Sequence, residues 1–558
     1  MTKDLFLFNA GLVFDSPENP DALWISDSII KAVGNSADLK SQLSNDANFI
    51  DLEGKTVLPG LTDFHLHLQY LADKLDAVDC QSDNIGEVLR RVERRAEITP
   101  AGEWIIGYGW NQNDWNPADY GTAAQLDAIS QSHPILLHAK SLHAAWANSL
   151  ALRLAGIDAH TPNPDKGVIL HDTAGQPSGI LLEYAIPLVE KHIPQPTASS
   201  VARKIQLAQN YLHSLGITGV HNFDRFEAAD ALLLLADQDL LRLRVSQNLP
   251  SEQLNQVVEE GWRKKLTRPP YLQPGWLKIF ADGALGPQSA SLLEPYEGSQ
   301  DSGLLLISAQ ELAEIGMKAS KESWPLSVHA IGDRAVREVL NGMEILRKFE
   351  RENNLPHLPH RIEHVQLIHP DDLRRMKRLD LIASVQPSHA VADMFTAQHH
   401  WGKRCQYAYA YQSMRENGLK IRFGSDAPVE NSDPFEGIYA AISRKRFTPV
   451  KEGISRADVP PHTSAEMDGE GYASFQFDSG ENNISWYPQQ RLSLQDSLNA
   501  FTMPLSSSPD NPEHPPLSAG SPADMIVLES NPFNLNPEQI YQLRPLLTIV
   551  AGEIVFSR

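Results

Sequence analysis

The sequence predicts an α/β chain built on a (β/α)8 TIM barrel. Three observations lead there. Eight apolar, strand-like runs recur between residues 56 and 429. From the second run onward helical patterns separate them, the alternation that a parallel barrel requires. Both ends of the chain are instead β-rich, which points to one small sheet domain shared by the two termini.

Residues 4–60 read as short strands punctuated by Gly, Asn and Asp. The runs assigned to the barrel are 56–67, 216–223, 241–249, 276–283, 326–332, 361–366, 381–388 and 420–429. Amphipathic segments such as 334–352 and 371–379 supply helices between them. The first two runs lie about 150 residues apart, far beyond the dozen or so that a βαβ crossover needs. Residues 80–200 are therefore expected to be an inserted subdomain over the barrel mouth. The polar, Gly/Ser-rich stretch 451–488 reads as a long loop. Pro-rich 506–522 marks the return to the sheet domain, with strand-like runs at 523–531 and 546–558. The expected divisions are 1–56, 57–505 and 506–558.

Composition narrows the function classes. Of 558 residues, 42% are apolar and 21% charged, which suits a globular protein rather than a disordered one. Acidic residues outnumber basic ones, 70 to 48, so the net charge is −22. That field disfavours nucleic acid and anionic membrane as partners and leaves a small-molecule substrate as the expectation. Two cysteines, Cys80 and Cys405, exclude a disulfide framework and suit a reducing cytosol. The N-terminal stretch lacks the apolar core of a signal peptide. No apolar run reaches the roughly 18 residues of a membrane span. A cytoplasmic location is expected.

Twenty histidines are present, and most must be ordinary surface or core residues, so place in the strand series decides which matter. His65 and His67 close the first run. Residues i and i+2 of a strand share a face, so both imidazoles can point into the barrel. His329, His364 and Asp426 close the fifth, sixth and eighth runs, at the rim where barrel enzymes carry their chemistry. Lys278 sits in the fourth run, which is too apolar to bury a charged lysine cheaply. It either snorkels or pairs with Asp282, or it is carboxylated by CO2 and becomes an anionic oxygen ligand that can bridge two metal ions. His143 is either a packing residue capping a helix or a substrate contact from the insertion. Trp110, with Trp115 and Trp146, is either core or the wall of an apolar pocket.

VLPGLTDFHLHLQYLADK (57–74) resembles the opening metal motif of the amidohydrolase superfamily. WIIGYGWNQNDW (104–115), LLHAKSLHAAWANSLAL (136–152) and LKIFADGALGPQSASLLEPY (277–296) are similar to amidohydrolase family 3. So are VHAIGDRAV (328–336), RIEHVQLIHPDDL (361–373) and FGSDAPVENSDPF (423–435). The likeness is to the YtcJ-like subgroup, which includes N-substituted formamide deformylase, and it runs from about residue 5 to the C-terminus. Two stretches depart from the pattern. GPQSA (286–290) stands where relatives more often have Gly-Ser-Arg-Thr-Ala, and FTMPLSSSPDNPEHPP replaces a Thr-rich segment.

The resemblance implies a metal-dependent hydrolase on a barrel. It also implies a composite β-sandwich from the two termini and an insertion between the first two strands. His65 and His67 would hold one divalent ion, zinc by ligand type. His329 and His364 would hold a second or complete a single shared site, with carboxylated Lys278 bridging if two ions are bound per chain. Asp426 would be both ligand and general base, serving a metal-activated hydroxide and then the leaving amine. His143 and Trp110 are the candidate substrate contacts. The implied reaction is hydrolysis of an amide, N-formyl or N-acyl C–N bond of a small molecule. Alternatives are a cyclic-amide or carbamate hydrolase on the same site, or a catalytically silent metal-binding regulatory protein. A homodimer fits the self-association common among relatives.

Overall fold

The computed structural model of the chain describes residues 4–12, 20–44, 46–446, 485–502 and 516–558. Most of the expected 451–488 loop and part of the Pro-rich stretch lie outside the described residues. The described residues up to Leu71 and from Ala198 onward form one compact unit, and Ala72–Thr197 form a second.

The first unit holds the barrel. Its strands are β1 (Leu61–Leu66), β2 (Ile217–Asn222), β3 (Arg244–Pro250) and β4 (Leu272–Phe280). They continue as β5 (Leu326–Ala330), β6 (Arg361–His364), β7 (Ile382–Val385) and β8 (Lys420–Phe423). One sheet contains all eight in chain order, and every neighbouring pair is parallel. The helix Asp333–Glu352 buries Val336, Val339, Leu340, Met343 and Leu346, spacing that repeats with the helical turn and gives it an apolar face. Phe64, Trp276 and Ile382 form one buried cluster. They come from β1, β4 and β7, which are not neighbours, so they meet across the barrel interior.

The seam between β1 and β8 is held closely. The Asp426 amide donates to the His65 carbonyl at 2.6 Å, and Leu66 bridges Ala427 in parallel. Buried Asp63 accepts from the Ser425 amide at 3.0 Å and its hydroxyl at 2.6 Å. It also accepts from the His65 amide at 3.0 Å. Gly424 permits this approach, because a Cβ there would lie 2.5 Å from the His65 amide nitrogen.

Two further sheets share an apolar core that includes Leu7, Leu23, Ile25, Val57, Met525 and Ile549. One has four strands, all between Leu5 and Asp51. The other has five, from both termini: Gly11–Leu12, Thr56–Pro59, Met525–Leu528, Pro545–Val550 and Glu553–Ser557. The run at 56–67 is thus two strands rather than one barrel strand. Thr56–Pro59 pairs antiparallel with Met525–Leu528, so the terminal sheets extend past residue 56. Gly60 stands at the break, where a Cβ would fall 2.3 Å from the Thr218 hydroxyl oxygen on β2.

The second unit is a six-stranded mixed sheet. Its order is Gly167–His171, Pro177–Glu183, Ala144–Ala147, Ile135–Ala139, Ile105–Trp110, Val78–Asp79. Its apolar core includes Val88 and Val92 from the helix Ile85–Ile98. Among the described residues no helix is long and apolar enough to cross a membrane. Cys80 and Cys405 are buried free thiols.

A buried ionic network braces the entry to β6. Glu350 accepts from Arg347 at 2.8 Å, His360 at 2.9 Å and Ser320 at 2.7 Å. His360 Nδ1 accepts in turn from the Leu326 amide at the start of β5, at 2.9 Å. Burial alone would raise the Glu350 carboxyl, but His360 and Arg347 outweigh it and bring it down to about 2. Burial lowers His360 to about 4. Both values are depressed on folding, so both contributions are whole above the unfolded values and fade as pH falls. Denaturation at pH 7 is expected to show Glu350→Gln less stable by about 3 kcal/mol, because Arg347 is left buried without its carboxylate. The difference should shrink as pH falls from 4.5, where the carboxyl of the unfolded chain begins to protonate, towards about 2, where the folded one does. An unchanged midpoint at pH 7 would contradict this role.

Candidate metal centre

The barrel topology carries six of the eight sequence-predicted site residues to one end of the first unit. His65 lies at the end of β1 and His67 just past it. Lys278 is in β4, His329 in β5 and His364 at the end of β6, while Asp426 follows β8. His65 Nε2 and His67 Nε2 each lie 3.4 Å from Asp426 Oδ1. His65, His67 and Asp426 offer three ligand atoms all within 4.8 Å of one another, a spacing that one ion can fill. A second such group consists of His364, His389 and Asp426.

The backbone is bent to deliver these groups. His364 has φ +72°, Val365 +43° and Asp426 +59°, left-handed conformations that side-chain-bearing residues seldom adopt. Hydrogen bonds hold them there, from the Val365 amide to the Ala330 carbonyl (3.1 Å) and from Asp426 to His65. Strain concentrated where ligands converge marks a functional site.

Outer contacts orient the imidazoles. His65 Nδ1 donates to Glu363 Oε2 at 2.7 Å, which leaves Nε2 as the lone-pair nitrogen. Glu363 Oε1 accepts from Arg361 at 2.6 Å and from the Ser327 hydroxyl at 2.5 Å. The Phe223 ring stacks on His65 at 3.8 Å. His364 Nδ1 donates to Gln386 Oε1 at 2.9 Å, so its Nε2 is also free to coordinate. His329 Nε2 donates to the Gly283 carbonyl at 2.9 Å, which leaves Nδ1 as its lone-pair nitrogen.

Burial sets the charge states. It lowers His65 to about 4, against the pull of Asp426 and Glu363, and lowers His329 to about 3. His364 falls well below its ordinary value for the same reason. These imidazoles are neutral, the state a metal needs. His67 goes the other way: burial would lower it, but the Asp224 and Asp426 carboxylates outweigh burial and raise it to about 9. Asp426 would be raised by burial, yet His65 and His67 hold it well below the carboxylate range. Burial brings the Lys278 amine down to about 8.

The structure also revises several expectations. Lys278 does not pair with Asp282. Its Nζ lies over the Phe223 and Phe280 rings at 4.6 and 4.9 Å, while Asp282 accepts from the Ile331, Gly332 and Ser291 amides. Trp110 is not a pocket wall. It is wholly buried in the core of the second unit, and its indole N–H donates to the Leu137 carbonyl at 2.7 Å. His143, also in the second unit, is exposed, with Nδ1 3.0 Å from Glu183 Oε2. Sequence reasoning missed Glu363, Asp224 and His389. Arg361 and Glu363, two apart on a buried strand, were the legible sign of an internal ion pair. Asp224 lies two residues past β2, with Oδ1 3.4 Å from His67 Nδ1. His389 lies one residue beyond the run assigned to the seventh strand.

The model of the amidohydrolase family matches residues 48–556 of this chain. The chain belongs to the amidohydrolase family. It is therefore a hydrolase, and its barrel rim carries His and Asp groups able to bind a metal ion. YtcJ of Bacillus subtilis (strain 168) is 28% identical over 99% of this amidohydrolase and 99% of its own length. N-substituted formamide deformylase of Arthrobacter pascens is 26% identical over 100% of this chain and 99% of its own. A crystal structure of an uncharacterized metal-dependent hydrolase from Pyrococcus furiosus superposes with a TM-score of 0.67. It is 26% identical and covers 95% of this chain and 99% of that one.

Glu363 provides the test of the outer contacts in this amidohydrolase. Glu363→Gln is expected to weaken metal binding by about 10- to 100-fold, because His65 loses its charged anchor. Titration of the metal-free variant against a competing chelator reads this directly. Affinity equal to wild type would mean that the contact does not orient the ligand.

Proposed function

We propose that this amidohydrolase hydrolyses an amide, N-formyl or N-acyl C–N bond of a small molecule, with Asp426 as general base. The observation that carries the reading is the convergence of His65, His67 and Asp426 at the C-terminal end of a parallel barrel. Two imidazole donors and a carboxylate suit a borderline divalent ion such as zinc, with His67 giving up its proton as the ion binds. A divalent ion there supplies Lewis acidity, which polarises the scissile carbonyl and acidifies water near neutral pH.

The chain's own residues do the rest. Asp426 stays ionised at neutral pH, so it can take the proton of the attacking water and pass it to the leaving amine. Lys278 is buried, and its depressed basicity brings the neutral amine within reach of physiological pH. In that form it can add CO2 as R–NH2 + CO2 → R–NH–COO⁻ + H⁺, which turns a costly buried cation into an oxygen ligand facing His329 and His364. The relative from Arthrobacter pascens is an N-substituted formamide deformylase, which supports an N-formyl or related substrate here. A cytoplasmic setting belongs to the same proposal and is compatible with two buried free thiols.

Elemental analysis of protein purified without chelator is expected to find one or two divalent ions per chain. None, even after metal addition, would overturn the reading. Asp426→Asn keeps an oxygen donor but not a base. It is expected to retain much of the metal and to lose turnover by about 10²–10⁴-fold on an amide library. Unchanged turnover would refute the base. Lys278→Ala should lower bound metal and be partly rescued by a short added carboxylate. Full metal in that variant would remove the bridging role.

A further inference from the structure

We propose that His389 is a metal ligand. With His364 and Asp426 it forms a second three-donor pocket beside the His65–His67–Asp426 pocket. The proposal rests on the metal-dependent reading above and adds a ligand from the segment after β7, where sequence reasoning placed none.

Three observations support it. The ligand atoms of His364, His389 and Asp426 all lie within 4.8 Å of one another, the same criterion the first pocket meets. His389 is 7% exposed, and its Nε2 has no hydrogen-bond partner among the described residues. An imidazole nitrogen buried without a partner is expensive, and a cation at its lone pair relieves that cost. Finally, Asp426 divides its two oxygens. Oδ1 lies 3.4 Å from both His65 and His67, while Oδ2 lies 4.0 Å from His389 Nε2. A carboxylate so placed can serve one ion through each oxygen.

The tautomers are consistent with this arrangement. His364 spends Nδ1 on Gln386, which leaves Nε2 for a metal. The His389 ring is stacked with that of His364, with an interplanar angle of 13° and centroids 6.2 Å apart. Its Nδ1 lies 3.4 Å from the Gln366 amide nitrogen, and Gln366 Oε1 is buried without a partner. A half-turn of that amide sets Oε1 against Nδ1. The imidazole then carries its proton on Nδ1 and offers Nε2 as donor, the arrangement that metal-bound histidines use.

The experiment is equilibrium dialysis of wild type, His389→Ala and His389→Gln against Zn²⁺ and Co²⁺. Metal is read per chain and by the visible spectrum of the Co²⁺ form. The expected result is that both variants fold by circular dichroism and lose an equivalent, or bind it at least 10-fold more weakly. The site built on His65 and His67 should persist. Added imidazole should restore the lost equivalent to His389→Ala. Unchanged stoichiometry, affinity and spectrum in both variants would overturn the assignment while leaving the metal-dependent reading intact. A wild type that binds no metal would overturn that reading and the ligand assignment with it. Should neither variant fold, zinc-edge anomalous diffraction from loaded wild-type crystals decides. A peak about 2.1 Å from His389 Nε2 supports ligation, and zinc bound in the barrel with no peak at that distance from His389 overturns it.

Discussion

Glu363 is the residue on which the arrangement of the barrel interior depends. Its carboxylate, fully buried, accepts from His65 on one oxygen and from Arg361 and Ser327 on the other. An ion pair so enclosed has lost all its water, so only close geometry makes it tolerable. Arg361 is held from other sides as well. Its guanidinium lies 4.2 Å from the Trp276 ring and donates to His221 at 2.9 Å. Burial raises the Glu363 carboxyl, but Arg361 and His65 outweigh it, so the group remains a carboxylate. From this fixed charge follow the tautomer of His65 and the direction of its Nε2. One interaction therefore ties β1, β5 and β6 together and orients a ligand.

The β1–β8 seam works on the other side of the same imidazole. Asp63, Ser425 and Gly424 draw the two strands close enough for the Asp426 amide to reach the His65 carbonyl. That bond fixes a residue whose backbone is left-handed, and so fixes the carboxylate that faces His65, His67 and His389. Barrel closure and ligand placement are the same event. A chain that failed to close would lose the placement of the Asp426 carboxylate.

The charges at the centre suit a cation. Neutral imidazoles, one ionised aspartate and a lysine of lowered basicity share a small buried volume, with Asp224 behind His67. His67, protonated when no metal is present, must release that proton when an ion binds. The overall charge of −22 says nothing of this, because the local field is set by a few desolvated groups.

The sequence by itself determined the barrel and the ligand types. Strand alternation and helical spacing are local patterns, so the eight strands were legible, as were the residues at their C-terminal ends. The terminal runs were legible as β-rich for the same reason. Only the tertiary structure decided which groups meet. That Thr56–Pro59 leaves the barrel for the terminal sheets depends on its pairing with Met525–Leu528, from the far end of the chain. That Trp110 is core rather than pocket depends on the packing of the second unit. Glu363 and Asp224 matter because they face His65 and His67 from β6 and from the end of β2. His389 reaches Asp426 only because β7 and β8 are neighbours and the helix after β7 turns its first turn toward the rim. Local spacing tells which way a side chain can point. Closing the sheet on itself decides what it finds there.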